Sequence, residues 1–202
     1  MALVDRVKAI LISPKTEWAK IETEPATVGS LFTGYVLPLA AIPAIAGFIG
    51  MAIVGYGVLG TRLQIPMGTA LTWAAVEFCA ALIGVFVLGL IIDALAPSFG
   101  GQKNQIQALK VAVYSSTASW LAGIFAIIPG LAILGIVGLY SIYLMFLGLP
   151  VLMKAPADKA VGYTVVVIIA AVVLYFLVGY LAGQIAGFGG GFGGWGPNPI
   201  PH

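Results

Sequence analysis

Histidine and cysteine are almost missing from this chain: the sole histidine is its last residue, His202, and the sole cysteine, Cys79, sits inside a long apolar run. A metal site built on imidazole and thiolate ligands cannot be assembled from them, and no internal disulfide can form. Charge is scarce as well. Only 8% of residues are Asp, Glu, Lys or Arg, against about 25% in an ordinary soluble domain, so the polar atoms needed to clothe a water-facing surface are lacking. The net charge of +2 is too small for an electrostatic footprint on nucleic acid. No glycine-rich loop ending in Lys-Ser or Lys-Thr is present to cradle a phosphate. A cleavable signal needs a short uninterrupted apolar core after a basic start; Met1 to Lys20 mixes apolar and charged residues instead, and no cleavage is expected.

What the chain has is apolar length, with 61% hydrophobic residues and a mean hydropathy of +1.10. Five stretches, about 30–56, 67–96, 108–128, 130–153 and 160–186, each reach the roughly 20 residues needed to cross a hydrocarbon core. The expected fold is all-α: a polytopic membrane protein with five transmembrane helices and no room for a separate soluble domain. Eight of the nine Lys/Arg fall on one side of this alternation. Arg6, Lys8, Lys15 and Lys20 precede the first span, Lys103 and Lys110 lie around the second connection, and Lys154 and Lys159 lie in the fourth. Arg62 alone is on the other side. Cationic loops stay on the inner face, which predicts a cytoplasmic N-terminus and an extracytoplasmic C-terminus.

Residues 1–29 read as interfacial amphipathic helices. Leu3, Val4, Val7, Ile10 and Leu11 recur at helical spacing, with Asp5, Arg6 and Lys8 assigned to the opposite side. Ser13-Pro14 marks a second helix start, Ser as N-cap and Pro at the first helical position, with Trp18 and Ile21 on its apolar face. These faces are expected to meet lipid at the cytoplasmic interface, the alternative being the inner mouth of the bundle. Residues 30–187 form the five-helix domain. Pro38 and Pro43 predict a kink or break in the first span, and Pro129-Gly130 a tight turn between the third and fourth. Gly179, Gly183 and Gly187 make a small-residue stripe for helix packing. Residues 188–202 read as a disordered Gly/Pro-rich extracytoplasmic tail, in which Phe188, Phe192 and Trp195 could touch the interface.

The chemically interesting candidate is Glu77, near mid-depth in the second span on a face of small residues, Ala70, Ala74, Ala81 and Gly84. Ser115, Ser116, Thr117 and Ser119 in the third span and Tyr140, Ser141 and Tyr143 in the fourth lie at similar sequence depth. A midplane polar site is therefore predicted, either a proton or cation site or a set of structural hydrogen bonds between helices. No His or Lys shares that depth to serve as a base, so a nucleophile role for the hydroxyls is not expected. Asp93, nearer the cytoplasmic end, is expected to pair with Lys103 or Lys110.

Several stretches taken together carry a family likeness. They are Leu11-Ile12-Ser13-Pro14-Lys15-Thr16-Glu17-Trp18, Leu39-Ala40-Ala41-Ile42-Pro43-Ala44-Ile45, Phe99-Gly100-Gly101 and Tyr114-Ser115-Ser116-Thr117. Tyr140-Ser141-Ile142-Tyr143-Leu144, Gly148-Leu149-Pro150 and Lys159-Ala160 follow. In order and spacing the chain resembles the bacterial branch of the YIP (Ypt-interacting protein) family, five-span membrane proteins with a cytoplasmic N-terminus. Eukaryotic members act in vesicle traffic and bind Rab-type GTPases. This sequence lacks their long cytoplasmic domain and their Asp-Leu-Tyr-Gly-Pro motif, and has Ala118 where members often carry Pro. The resemblance implies a non-enzymatic inner-membrane protein that organises membrane or scaffolds partners, without a cofactor. A small transporter or channel using the Glu77 site is the alternative. Expected partners are membrane lipids, membrane or cytoplasmic proteins and a second copy of the chain, with no nucleic acid.

Overall fold

The computed structural model describes residues 2–58 and 61–185. Among them, five helical stretches are long and apolar enough to cross a membrane: Val28–Val54, Met67–Phe99, Gln105–Ile127, Ile133–Leu152 and Ala157–Leu181. They follow the five predicted spans closely, and the molecule is an all-α polytopic membrane protein. Gly187 and the tail expected over 188–202 lie outside the described residues. Between the first and second spans sits a short antiparallel pair, β1 (Tyr56–Val58) and β2 (Thr61–Leu63), with Tyr56 opposite Leu63 and Val58 opposite Thr61.

The spans are not uniform rods, and sequence explains where they change. In the first, Phe32–Val36 forms a π-turn in which the Leu37 N–H reaches back to the Phe32 carbonyl. Pro38 follows immediately and has no N–H for the α ladder; a wider turn ahead of it absorbs the discontinuity. Pro43 lies within the α-helical part, Leu37–Ile49. The third span is α-helical over Gln105–Ser115 and again over Thr117–Ala122, with Ser116 between. There Ser115, Ser116 and Thr117 all turn their hydroxyls back onto carbonyls three or four residues earlier, a habit that bends helices. The turn to the fourth span falls at Ile128, which is extended. Pro129 then opens a 3-10 stretch, Pro129–Leu139, that leads into the α-helix Tyr140–Leu152. Lys154, left-handed at φ 55, closes that helix two residues on.

The third span is the axis of the bundle: 56% of its most apolar window is buried, against 17% for the fifth. The densest packing lies at the end that carries the lysines and Arg6, hereafter the basic end. Ile92, Val111, Val113, Leu144, Leu149, Met153 and Tyr163 are fully enclosed there.

Two helices precede the spans, α1 (Leu3–Ile12) and α2 (Pro14–Thr23), joined at Ser13. Ser13 holds the N-cap position with Pro14 behind it, as expected, although its hydroxyl makes no cap bond. The faces built on Ile10, Trp18 and Ile21 are fully buried in the protein core. They close against the basic end of the bundle, inside its buried core, and not outward. The assignment of α1's faces also changes: Arg6 is buried beside Ile10, and Val4 is exposed.

Candidate functional site

Polar side chains gather in two places. At the basic end, Arg6 forms ion pairs with both Glu17 and Glu24, and Glu17 also takes Lys20 at 3.2 Å. Arg6 and Glu17 are almost wholly buried, so a hairpin of ten-residue helices is fastened by charges withdrawn from water. Burial pulls the Arg6 guanidinium down, yet the Glu24 hydrogen bond and the charges of Glu24 and Glu17 outweigh it and hold it above its ordinary value. The Arg6 hydrogen bond holds the Glu24 carboxyl below the usual carboxylate range, against burial that pushes it up. Buried Lys110, on the third span, donates to the Ile21 and Glu24 carbonyls at 2.7 and 2.6 Å. Gln107 donates to the Glu22 carbonyl at 2.9 Å, and Lys154 pairs with Glu22.

Aromatic rings carry this cluster inward. The Arg6 guanidinium stands 5.8 Å from the Tyr114 ring centroid, a cation–π distance. Trp18 meets Tyr114 edge-on at 6.3 Å, and Tyr35 meets it at 4.7 Å. The Trp18 ring lies against Gly148, where a Cβ would come within 2.7 Å of it. Tyr35 then exchanges a hydrogen bond of 2.8 Å with Thr117.

The predicted midplane belt does not form one site. Thr117 pairs with Tyr35 on the first span, whereas Glu77 lies against Gly47 on the same helix, its Oε2 being 3.5 Å from where a Cβ would be. Tyr35 and Gly47 are separated by about 18 Å of helix at 1.5 Å per residue, which keeps the two apart. Ser119 and Ser141 bond each other at 2.9 Å, with Ser119 also donating to the Gly138 carbonyl at 3.1 Å. They line an open groove of about 540 Å³ with Phe125, Gly135 and Tyr175; Glu77 does not border it. Ser115 and Ser116 are satisfied by their own helix. Tyr140 donates to the Leu11 carbonyl at 3.0 Å, while Tyr143 is exposed and tilts against the Tyr140 ring at 5.4 Å. No hydrogen bond or ion pair to Glu77 is formed among the described residues.

Two further expectations change. Asp93 pairs with neither Lys103 nor Lys110: Lys110 is turned to the carbonyls of α2, and the buried Asp93 Oδ1 has no hydrogen-bond partner among the described residues. Gly179 and Gly183 have open space where a Cβ would be, so this part of the stripe does not serve packing inside the chain.

The basic-end cluster was the set that sequence reasoning missed, and a signal for it was present. Pro14, Glu17, Trp18 and Ile21 fall at steps of three and four on one face of α2, all buried, which puts a carboxylate on the apolar stripe. Arg6 shares a face with Ile10 in the same way.

A family model described as the Yip1 domain matches residues 8–181. The chain is also similar to the inner membrane protein YohC of Escherichia coli K12, 28% identical over 166 residues, which is 80% of this chain and 85% of that protein. The protein of the same description in Escherichia coli O6:H1 matches with the same identity and coverage. No solved structure matches.

Proposed function

The chain belongs to the Yip1 domain family, and on that premise we propose that it is a non-enzymatic inner-membrane protein that organises membrane and scaffolds partners. Its N-terminus is cytoplasmic in this reading, so that the basic end faces the cytoplasm. The observation that carries it is the N-terminal hairpin, locked into the basic end by Arg6, Glu17, Glu24 and Lys110. A lock of this kind holds a fixed surface, and around it Lys15, Lys20, Lys103, Lys154 and Lys159 are exposed. The charged side chains of the cluster engage one another and backbone carbonyls, an arrangement suited to holding shape. Affinity capture from native membranes, followed by mass spectrometry of bound proteins and lipids, tests the reading. A specific set of partners lost on charge reversal at Lys103 and Lys159 is the expected result; the same set captured by both forms sinks it.

A second reading, a small transporter or channel, is favoured by Glu77: an intramembrane carboxyl set against a glycine with no polar partner among the described residues. Such groups mark ion or proton paths more often than chance. Proteoliposomes carrying Glu77→Gln decide it, since unchanged proton and cation flux removes the transport role.

A further inference from the structure

The groove that holds Ser119 and Ser141 belongs neither to the basic end nor to Glu77. It opens between the third and fourth spans and the fifth, whose Tyr175, 76% exposed, forms one wall. Ser119 lies on the helix Thr117–Ala122, and the 3-10 turn Gly123–Ile127 carries the chain on to Ile128. At about 1.5 and 2 Å per residue the serine pair stands ~15 Å along the span from Ile128. That is half of a ~30 Å hydrocarbon core, a depth that phospholipid headgroups do not reach.

The hydrogens of the pair can be followed one by one. The Ser119 hydroxyl gives its hydrogen to the Gly138 carbonyl at 3.1 Å, so Ser141 donates the 2.9 Å bond between the two hydroxyls. The Ser141 oxygen in turn accepts the Ser119 N–H at 3.0 Å. A serine oxygen has one hydrogen to give and two lone pairs to fill. Both hydrogens are spent, and each oxygen keeps one lone pair on the groove wall. The pair therefore takes a ligand that donates, and acyl chains, with no O–H or N–H, leave it unfilled. Phe125 and Tyr175 line the same space, which favours an aromatic ring against them. Gly135 keeps the groove open: nothing lies within 4 Å of where its Cβ would be, whereas a Cβ on Gly138 would come 3.2 Å from the Ser119 Cα. The volume of about 540 Å³ is that of a small-molecule site.

We propose that this groove binds a lipid-soluble phenol of the quinol class, its ring against Phe125 and Tyr175 and its hydroxyls donating to Ser119 and Ser141. This goes beyond both readings above, and its test reads binding alone. The full-length chain in phosphatidylcholine nanodiscs is equilibrated without oxygen with decylubiquinol, or separately with decylubiquinone. Retained ligand is measured against empty discs. Expected is saturable retention of the quinol. The quinone, with carbonyls in place of hydroxyls, should be held about three- to tenfold more weakly, the difference that one net hydrogen bond makes. Gly135→Leu fills the open space and should abolish retention at an unchanged melting midpoint. Ser119→Ala with Ser141→Ala tests the same wall without added bulk and should bring the quinol down to the quinone level. Retention no greater than in empty discs overturns the site and leaves the groove to acyl chains. Equal retention of quinol and quinone, or of quinol by the serine variant and the parent, overturns the hydroxyl assignment. Quinol retention untouched by Gly135→Leu puts the ligand elsewhere and overturns the groove. None of these results bears on partner capture or on flux at Glu77.

Discussion

The two ends of this bundle are held together by different means. At the basic end large side chains and charges do it: Trp18 is fully enclosed, Arg6 bridges two glutamates and Lys110 caps two carbonyls. At the other end the backbones themselves come together. A Cβ on Gly50 would sit 2.1 Å from the Ala126 carbonyl oxygen, and one on Gly123 would sit 2.5 Å from Pro43 Cβ. Beyond those contacts the far half of the bundle is open, with Ile133, Phe176 and Tyr180 each at least 65% exposed. The difference follows from which residues each end holds: Arg6, Glu17, Glu24 and Lys110 gather at the basic end, whereas the far end relies on close van der Waals approach through small residues.

Breaking the charged end should have the largest effect. Arg6→Ala leaves Glu17 buried with only exposed Lys20 beside it, and should cost about 3–5 kcal/mol. The readout is a lower melting midpoint in detergent together with faster hydrogen exchange over residues 3–23; an unchanged midpoint would mean that charge does not fasten the hairpin. Gly50→Ala tests the opposite end by driving a methyl into a carbonyl oxygen, with a cost of about 1–3 kcal/mol. Its exchange signature should appear around residues 46–54 and 122–128, leaving the hairpin protected. Acid separates the ends without mutation. Since the folded-state value of Glu24 is depressed, its contribution is present above the ordinary carboxylate range and is lost as pH falls through the folded value. Exchange protection of α1 and α2 should thus hold at neutral pH and decline below that range, before the far-end contacts respond; simultaneous loss at both ends would contradict the division. Smallest is Ser141→Ala, which removes the two interhelical hydrogen bonds its hydroxyl makes with the Ser119 N–H and hydroxyl, each worth about 0.6 kcal/mol. Gly179→Ala, where nothing is near, is the matched control and should leave the midpoint unmoved.

How far the sequence could be read divides along the same line. The spans were legible because crossing a bilayer requires uninterrupted apolar length, and hydropathy reports that directly. Tertiary pairing was not. Ser115, Thr117, Tyr140 and Glu77 lie at similar distances along their own spans, yet the helices are offset, so Thr117 finds Tyr35, Tyr140 finds Leu11 and Glu77 finds Gly47. Depth counted in residues ignores such offsets, as well as the π-turns and 3-10 stretches that alter rise per residue. Arg6 was misread, and Glu17 passed over, for a simpler reason: charges on a short helix default to a solvent face, and only the i, i+4 partners Ile10 and Ile21 betray that these two point inward.

The docking of the hairpin also sets an order of events during synthesis. Residues 3–24 leave the ribosome ahead of the surfaces that receive them, Gln107, Lys110, Tyr114, Tyr140, Gly148 and Lys154. Until the fourth span has been made and inserted, Trp18 and Leu11 lack Gly148 and Tyr140, and the hairpin must wait at the membrane surface as a separate piece. The contacts that close the basic end therefore join these helices to residues 85 to 132 positions later, the kind of long-range closure that is slow to form. Helices translated before the spans are thus among the last to reach their places.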